Sequence, residues 1–266
     1  MSGSPIGMFD SGFGGLSVLK ALADVAPHED IVYIGDSARY PYGSKSQDDV
    51  RAFSLEITRS LVEDFKVKMI VVACNTASAT ALEDLKRKFD IPILGVIEPG
   101  VRAALAVSSN QKVGVIGTVG TIGSGAYQHE FSTMAKEVKL TCAACPGFVE
   151  FVERGDLSSD QVHVLAERLL SPIVLSGADT LLLGCTHYPF LARTISDVVG
   201  RDVVLVSSAD ETAFDVAKTL EKLGLATKNI ELGAQRFLCS GDPETFKTVG
   251  ERLYGSKLGS VEKWPL

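Results

Sequence analysis

The chain has 266 residues, 45% of them hydrophobic and 22% charged, with a net charge of −7. That length holds one or two domains with ample core material, and the acidic balance, with no run of Lys and Arg longer than Lys86-Arg87-Lys88, argues against the basic stripe of a nucleic-acid surface. No charge-free run of about 18 apolar residues occurs and the opening Met1-Ser2-Gly3-Ser4-Pro5 has no basic or apolar signal region, so neither a membrane span nor an export signal is expected. Apolar, β-branched runs at 6–9, 31–34, 69–73, 93–96, 112–116, 140–143, 180–183, 203–206 and 236–239 read as strands. Amphipathic stretches at 16–25, 48–65, 77–89, 100–107, 125–137, 159–175, 190–199 and 210–223 read as helices. Strand-then-helix alternation predicts right-handed crossovers and parallel sheets. Asn-Gly, the usual hairpin turn of an antiparallel alternative, does not occur.

Two junctions read as domain crossings. Ile97-Glu98-Pro99-Gly100 places a Pro-Gly break after a strand, and Ser207-Ser208 precedes a helix with serine suited to the N-cap. The expected fold class is α/β, with two doubly wound parallel-sheet domains facing each other across a central cleft. The division is 1–98 plus 208–266 for the first domain and 99–207 for the second.

Five stretches carry candidate chemistry. Asp10-Ser11-Gly12-Phe13-Gly14-Gly15 follows a strand and opens a helix, a turn suited to an anion near free helix N–H groups. It brushes against the dinucleotide fingerprint GxGxxG, but Ser17 stands where the third glycine belongs. Pro41-Tyr42-Gly43 reads by itself as a surface turn. Gly117-Thr118-Val119-Gly120-Thr121 sets hydroxyls beside backbone amides, and no GxxxxGK[ST] phosphate loop is present. The strongest signal is a pair of near copies, Val71-Val72-Ala73-Cys74-Asn75-Thr76 and Leu182-Leu183-Gly184-Cys185-Thr186-His187, one in each half of the chain. Each puts a cysteine at the carboxyl end of a buried strand, where open α/β sheets place their ligand crevices.

Five cysteines without an export signal read as reduced thiols. Cys142-Ala143-Ala144-Cys145 has CxxC spacing, but no second CxxC or close histidine pair completes a zinc set, so buried structural thiols are the simpler reading there. A free thiol is only a few per cent thiolate at neutral pH. His187, two residues after Cys185, is a candidate base, and Asp10 should lie beside the Cys74 strand. Two thiols across one cleft suit a reaction in which one takes a proton from carbon while the other delivers a proton to the opposite face. A Cys–His acyl-transfer nucleophile would leave Cys74 without a task. No lysine sits in a glycine-rich pocket after a strand, so a pyridoxal route is not favoured and no cofactor or metal is expected.

Asp10-Ser11-Gly12, Gly35-Asp36, Pro41-Tyr42-Gly43, Ala73-Cys74-Asn75-Thr76, Gly117-Thr118, Cys145-Pro146 with Phe148-Val149 and Glu153, and Gly184-Cys185-Thr186-His187-Tyr188-Pro189 together resemble the motifs of the aspartate/glutamate racemase family, bacterial glutamate racemases in particular. The resemblance runs from about residue 6 to 215. It implies cofactor-independent 1,1-proton transfer between L- and D-glutamate, supplying D-glutamate for peptidoglycan. It also implies a cytoplasmic homodimer acting on a small molecule, without nucleic acid or membrane. By that resemblance Cys185 takes the proton from L-glutamate and Cys74 from D-glutamate, with Asp10 assisting on the Cys74 side, His187 on the Cys185 side, and Asp36 and Glu153 supporting. Substrate binding would fall to Asp10, Ser11, Tyr42, Gly43, Asn75, Thr76, Thr186 and His187, with Thr118 and Thr121 as further contacts. An aspartate racemase, a dinucleotide-dependent oxidoreductase and a silent acidic-amino-acid binder are the alternatives. One methylene separates glutamate from aspartate, worth only about 1–3 kcal/mol in a pocket.

Overall fold

The computed structural model describes residues 2–266. In chain order the elements are β1 (Ile6–Asp10), α1 (Leu16–Val25), β2 (Ile31–Gly35), α2 (Gln47–Glu63), β3 (Met69–Val72), α3 (Asn75–Lys88), β4 (Ile93–Gly95), α4 (Ile97–Val107), β5 (Lys112–Gly117), α5 (Val119–Gly123), α6 (Ala126–Met134), β6 (Lys139–Ala144), α7 (Phe148–Arg154), α8 (Asp160–Ser176), β7 (Thr180–Gly184), α9 (Ala192–Val199), β8 (Val204–Val206), α10 (Ala209–Lys222), β9 (Gln235–Cys239), α11 (Pro243–Tyr254) and β10 (Val261–Lys263). Short 3₁₀ turns lie at Tyr42–Ser44 and Tyr188–Leu191.

The strands form two sheets, ordered β10-β9-β2-β1-β3-β4 and β6-β5-β7-β8, and every pairing is parallel. Alternate side chains of a strand point to opposite faces, and both faces here are apolar. Ile6 and Met8 join one cluster with α1, α10 and α11, while Phe9 joins another with α2 and α3. In the second sheet Leu181 and Leu183 pack with α7, α8 and α9, and Leu182 packs with α4 and α6. Helices on both faces make each sheet doubly wound, and each sheet with its helices forms a lobe. Among the described residues no helix is long and apolar enough to cross a membrane.

The sequence β2-β1-β3-β4 repeats as β6-β5-β7-β8. In each copy the chain leaves the first strand to one side and then returns to its other side. That reversal opens a crevice between β1 and β3, and between β5 and β7, at the carboxyl ends. Asp10 and Cys74 stand at the first reversal, Thr118 and Cys185 at the second.

Two helix starts depart locally from the sequence reading. α4 begins at Ile97 rather than at 100, because Pro99 falls in its first turn, where the missing N–H has no helical partner to lose. Ser208 occupies the N-cap of α10 but makes no side-chain cap bond there; Ser207 Oγ accepts from Ala209 N instead. The segment after 223 supplies β9, at the strand expected over 236–239, and also α11 and β10, which the sequence reading did not mark; its strands extend the first sheet beyond β2.

Candidate active site

Cys74 is the N-cap residue of α3, and its Sγ accepts from Ala77 N at 3.5 Å. It is 5% exposed. Burial, with the nearby Asp10 charge adding to it, pushes the thiol up to about 12, against a smaller opposing pull from the Ala77 amide and Ser11. Cys74 therefore holds its proton at neutral pH.

Cys185 follows β7 and is also buried. Its Sγ lies 3.9 Å from His187 Nδ1, and His187 Nε2 lies 3.0 Å from Glu153 Oε1 on α7. Burial by itself would lower the pKa of His187; the Cys185 sulfur and the Glu153 carboxylate outweigh it and raise it to about 10. The imidazole is thus a cation at neutral pH, standing between sulfur and carboxylate.

Asp10 joins the two sides. Its Oδ2 accepts from Gly12 N at 2.9 Å, and Thr186 Oγ1 from the second lobe lies 3.5 Å from its Oδ1. Burial raises its pKa, with His187 and the Gly12 and Gly15 amides opposing. Because the glycine loop spends amides on Asp10, and because Gly14 packs directly against Thr186 and His187, the turn does not present the free amides that a pyrophosphate would need. The dinucleotide reading loses its basis there.

A hydroxyl triad closes the other end. Thr76 of α3 lies 3.0 Å, oxygen to oxygen, from both Thr118 and Thr121, which are themselves 3.0 Å apart. Gly43 sits against Thr118, where a Cβ would come within 2.4 Å of it. The Tyr42–Ser44 turn is anchored rather than free on the surface: Tyr42 is fully buried and donates to Asp36 Oδ2 at 2.5 Å. Asp36 also accepts from Arg39 Nε at 2.7 Å and Ser240 Oγ at 2.5 Å. With three donors and no exposure, it braces the Tyr42 turn. Ser11 and Asn75 are buried beside Cys74.

The matching reversals, each ending in a buried thiol, coincide with a family model. The Asp/Glu/hydantoin racemase model matches residues 15–213. The chain belongs to the Asp/Glu/hydantoin racemase family. Within this racemase family, a curated glutamate racemase from Acidothermus cellulolyticus is 49% identical, covering 98% of this chain and 99% of that one. The crystal structure of a glutamate racemase isoform from Bacillus anthracis superposes with a TM-score of 0.94 at 39% identity, over 99% of this chain and 98% of that one. A Francisella tularensis glutamate racemase, solved in complex with D-glutamate, gives 0.92 at 32% identity over 100% and 98% of the two chains.

Other residues of this racemase chain at the site carry no sequence signal. Arg252 of α11 donates to the Glu153 carbonyl from the first lobe, and burial together with the nearby Glu153 carboxylate pushes the Tyr40 phenol up to about 12. Tyr127 of α6 donates to Asn75 Oδ1 at 2.7 Å. Each acts between segments far apart in sequence, where neither spacing nor periodicity marks it.

Proposed function

We propose that the chain is a glutamate racemase that interconverts L- and D-glutamate without a cofactor, by two-base proton transfer between Cys185 and Cys74, and so supplies D-glutamate for peptidoglycan. The observation that carries this reading is the pairing of two buried thiols at equivalent strand-reversal points of the two lobes, with Asp10 in reach of both sides. For L-glutamate, Cys185 takes the α-proton and the protonated His187 is the counter-ion of the thiolate that does so. Cys74, kept neutral by burial and by Asp10, delivers its proton to the opposite face. D-Glutamate follows the reverse path, with Asp10 assisting Cys74. Charge that develops on the α-carboxylate needs preorganised donors. Thr76, Thr118 and Thr121, the Asn75 amide, Thr186, Ser11 and the Tyr42-Gly43 turn fill that role. Asp36 and Glu153 hold Tyr42 and His187 in place.

The catalytic cleft lies between a first domain of 1–98 plus 208–266 and a second of 99–207, a division supported by α4 packing on the second sheet and α10 packing on the first. The protein works as a cytoplasmic homodimer on this one small-molecule substrate.

The deciding experiment is incubation of L- and D-glutamate with the protein in D2O, followed by chiral and mass analysis, for wild type, Cys74→Ser and Cys185→Ser. Wild type yields both enantiomers deuterated at the α-carbon. Neither variant racemises, and single-base washout survives only for L-glutamate with Cys74→Ser and only for D-glutamate with Cys185→Ser. Full racemisation by either variant overturns the two-thiol reading, and absence of exchange by wild type overturns the substrate.

A further inference from the structure

One side chain touches both thiol-bearing strand ends. Tyr127, on α6 of the second lobe, is fully buried. Its ring packs on the backbone of Gly184, the residue before Cys185: a Cβ on Gly184 would lie 2.8 Å from Tyr127 Cε2 and 3.2 Å from Cζ. Its hydroxyl reaches into the first lobe and donates to Oδ1 of Asn75, the residue after Cys74, at 2.7 Å. The geometry therefore runs from one thiol turn to the other through a single rigid ring and a single hydrogen bond.

The chemistry of that bond is directional. An asparagine amide has one acceptor and one –NH2 donor, and either end can face a given partner until a neighbour decides. Burial raises the Tyr127 pKa, so the phenol remains protonated and serves as a donor. Occupying Oδ1, it turns the Asn75 –NH2 away from α6. A ring fixed by packing on one side and by a bond to the opposite lobe on the other also limits how far the two turns can separate.

We propose that Tyr127 is a positioning residue for the racemase reaction: through Asn75 and Gly184 it orients the Asn75 amide donor toward the substrate carboxylate and sets the spacing of the two thiol turns. This inference rests on the glutamate racemase reading. It extends that reading to a residue that touches no substrate.

The test is Tyr127→Phe, which keeps the ring and removes only the hydroxyl. A racemase interconverts mirror images, so its equilibrium constant is one and kcat/KM must fall by the same factor in both directions. The expected result is a fall in kcat/KM of about tenfold, carried mainly by a higher KM for both enantiomers, together with a slightly lower melting temperature because the buried Asn75 Oδ1 loses its donor. Asn75→Ala should give a comparable loss, and the double variant should lose no more than the larger single loss, because both act through one contact. A purely structural tyrosine would lower the melting temperature and leave KM alone. Unaltered kinetics in Tyr127→Phe, or losses that multiply in the double variant, overturn the inference while leaving the racemase reading intact. An inactive wild type assayed alongside overturns that reading and this inference together.

Discussion

His187 shows how much a single contact set decides. An imidazole taken out of water should lose its proton, yet this one holds it up to about 10 because Cys185 Sγ is 3.9 Å away on one nitrogen and Glu153 Oε1 is 3.0 Å away on the other. Cys74 has the opposite company: no cation, and a carboxylate beside it, so its thiol rises to about 12. The two thiols have unlike surroundings although their local sequences are near copies. A pKa raised on folding stabilises the native state below the unfolded value, and that contribution is lost as pH climbs through the folded value. For His187 it is complete below about 6.5 and fades between there and about 10. The His187 ring signal in NMR should accordingly show the charged form through pH 8. Glu153→Gln should lower its midpoint by about one pH unit or more, since it removes the opposite charge. A native midpoint near 6.5 would contradict the arrangement.

At the scale of elements, the turn between β1 and α1 is a tight join. Gly14 faces the second lobe so closely that a Cβ would lie 2.2 Å from Thr186 Oγ1 and 2.6 Å from His187 Nδ1, and both neighbours are buried. Gly14→Ala should therefore push the Cys185 turn out of place, with an overpacking penalty of about 1–3 kcal/mol in thermal or chemical unfolding. Its loss in kcat/KM should be larger than that penalty alone would give. Gly123→Ala, with open space at its Cβ, should leave both unchanged. Equal behaviour of the two variants would mean that the lobes separate freely at Gly14. Most of these elements were legible from residues alone, because β1, β3, β5 and β7 are apolar runs that stop abruptly at small polar residues. What escaped has physical reasons. α11 shows only Phe246, Val249, Leu253 and Tyr254 as its apolar face, with Gly250 inside it, and β10 is three partly exposed residues held by pairing to β9. Asp10, Cys74, Cys185 and His187 announced themselves by position after strands. Tyr127, Tyr40 and Arg252 did not, since their contacts exist only once the lobes are placed together.

At the scale of the molecule, two copies of one strand order are tied by two helical crossovers, α4 leading from β4 to β5 and α10 leading from β8 to β9. Both begin near the carboxyl ends of the strands and run away from the cleft side by side. Arg102 of α4 is their charged link: it bonds Glu98 at 2.9 Å on its own helix and Asp215 at 2.5 Å on α10, with Glu211 at 3.8 Å. The guanidinium is one-third exposed, so each pair contributes only about 0.2–1 kcal/mol. One cation among three carboxylates also holds off their mutual repulsion. Arg102→Ala should lower the melting temperature by about 2–6 °C, given about 2–4 °C per kcal/mol for a chain of this size. The drop should shrink in high salt, where repulsion among exposed carboxylates is screened. Because Arg102 pairs only with Glu98, Glu211 and Asp215 and with none of the site residues, kcat/KM should stay within about twofold of wild type, in contrast to Tyr127→Phe, which loses activity. The opposite pattern for Arg102→Ala, a stable protein with slowed turnover, would place the control of lobe movement in the crossovers and not in the cross-cleft contacts of Tyr127 and Gly14.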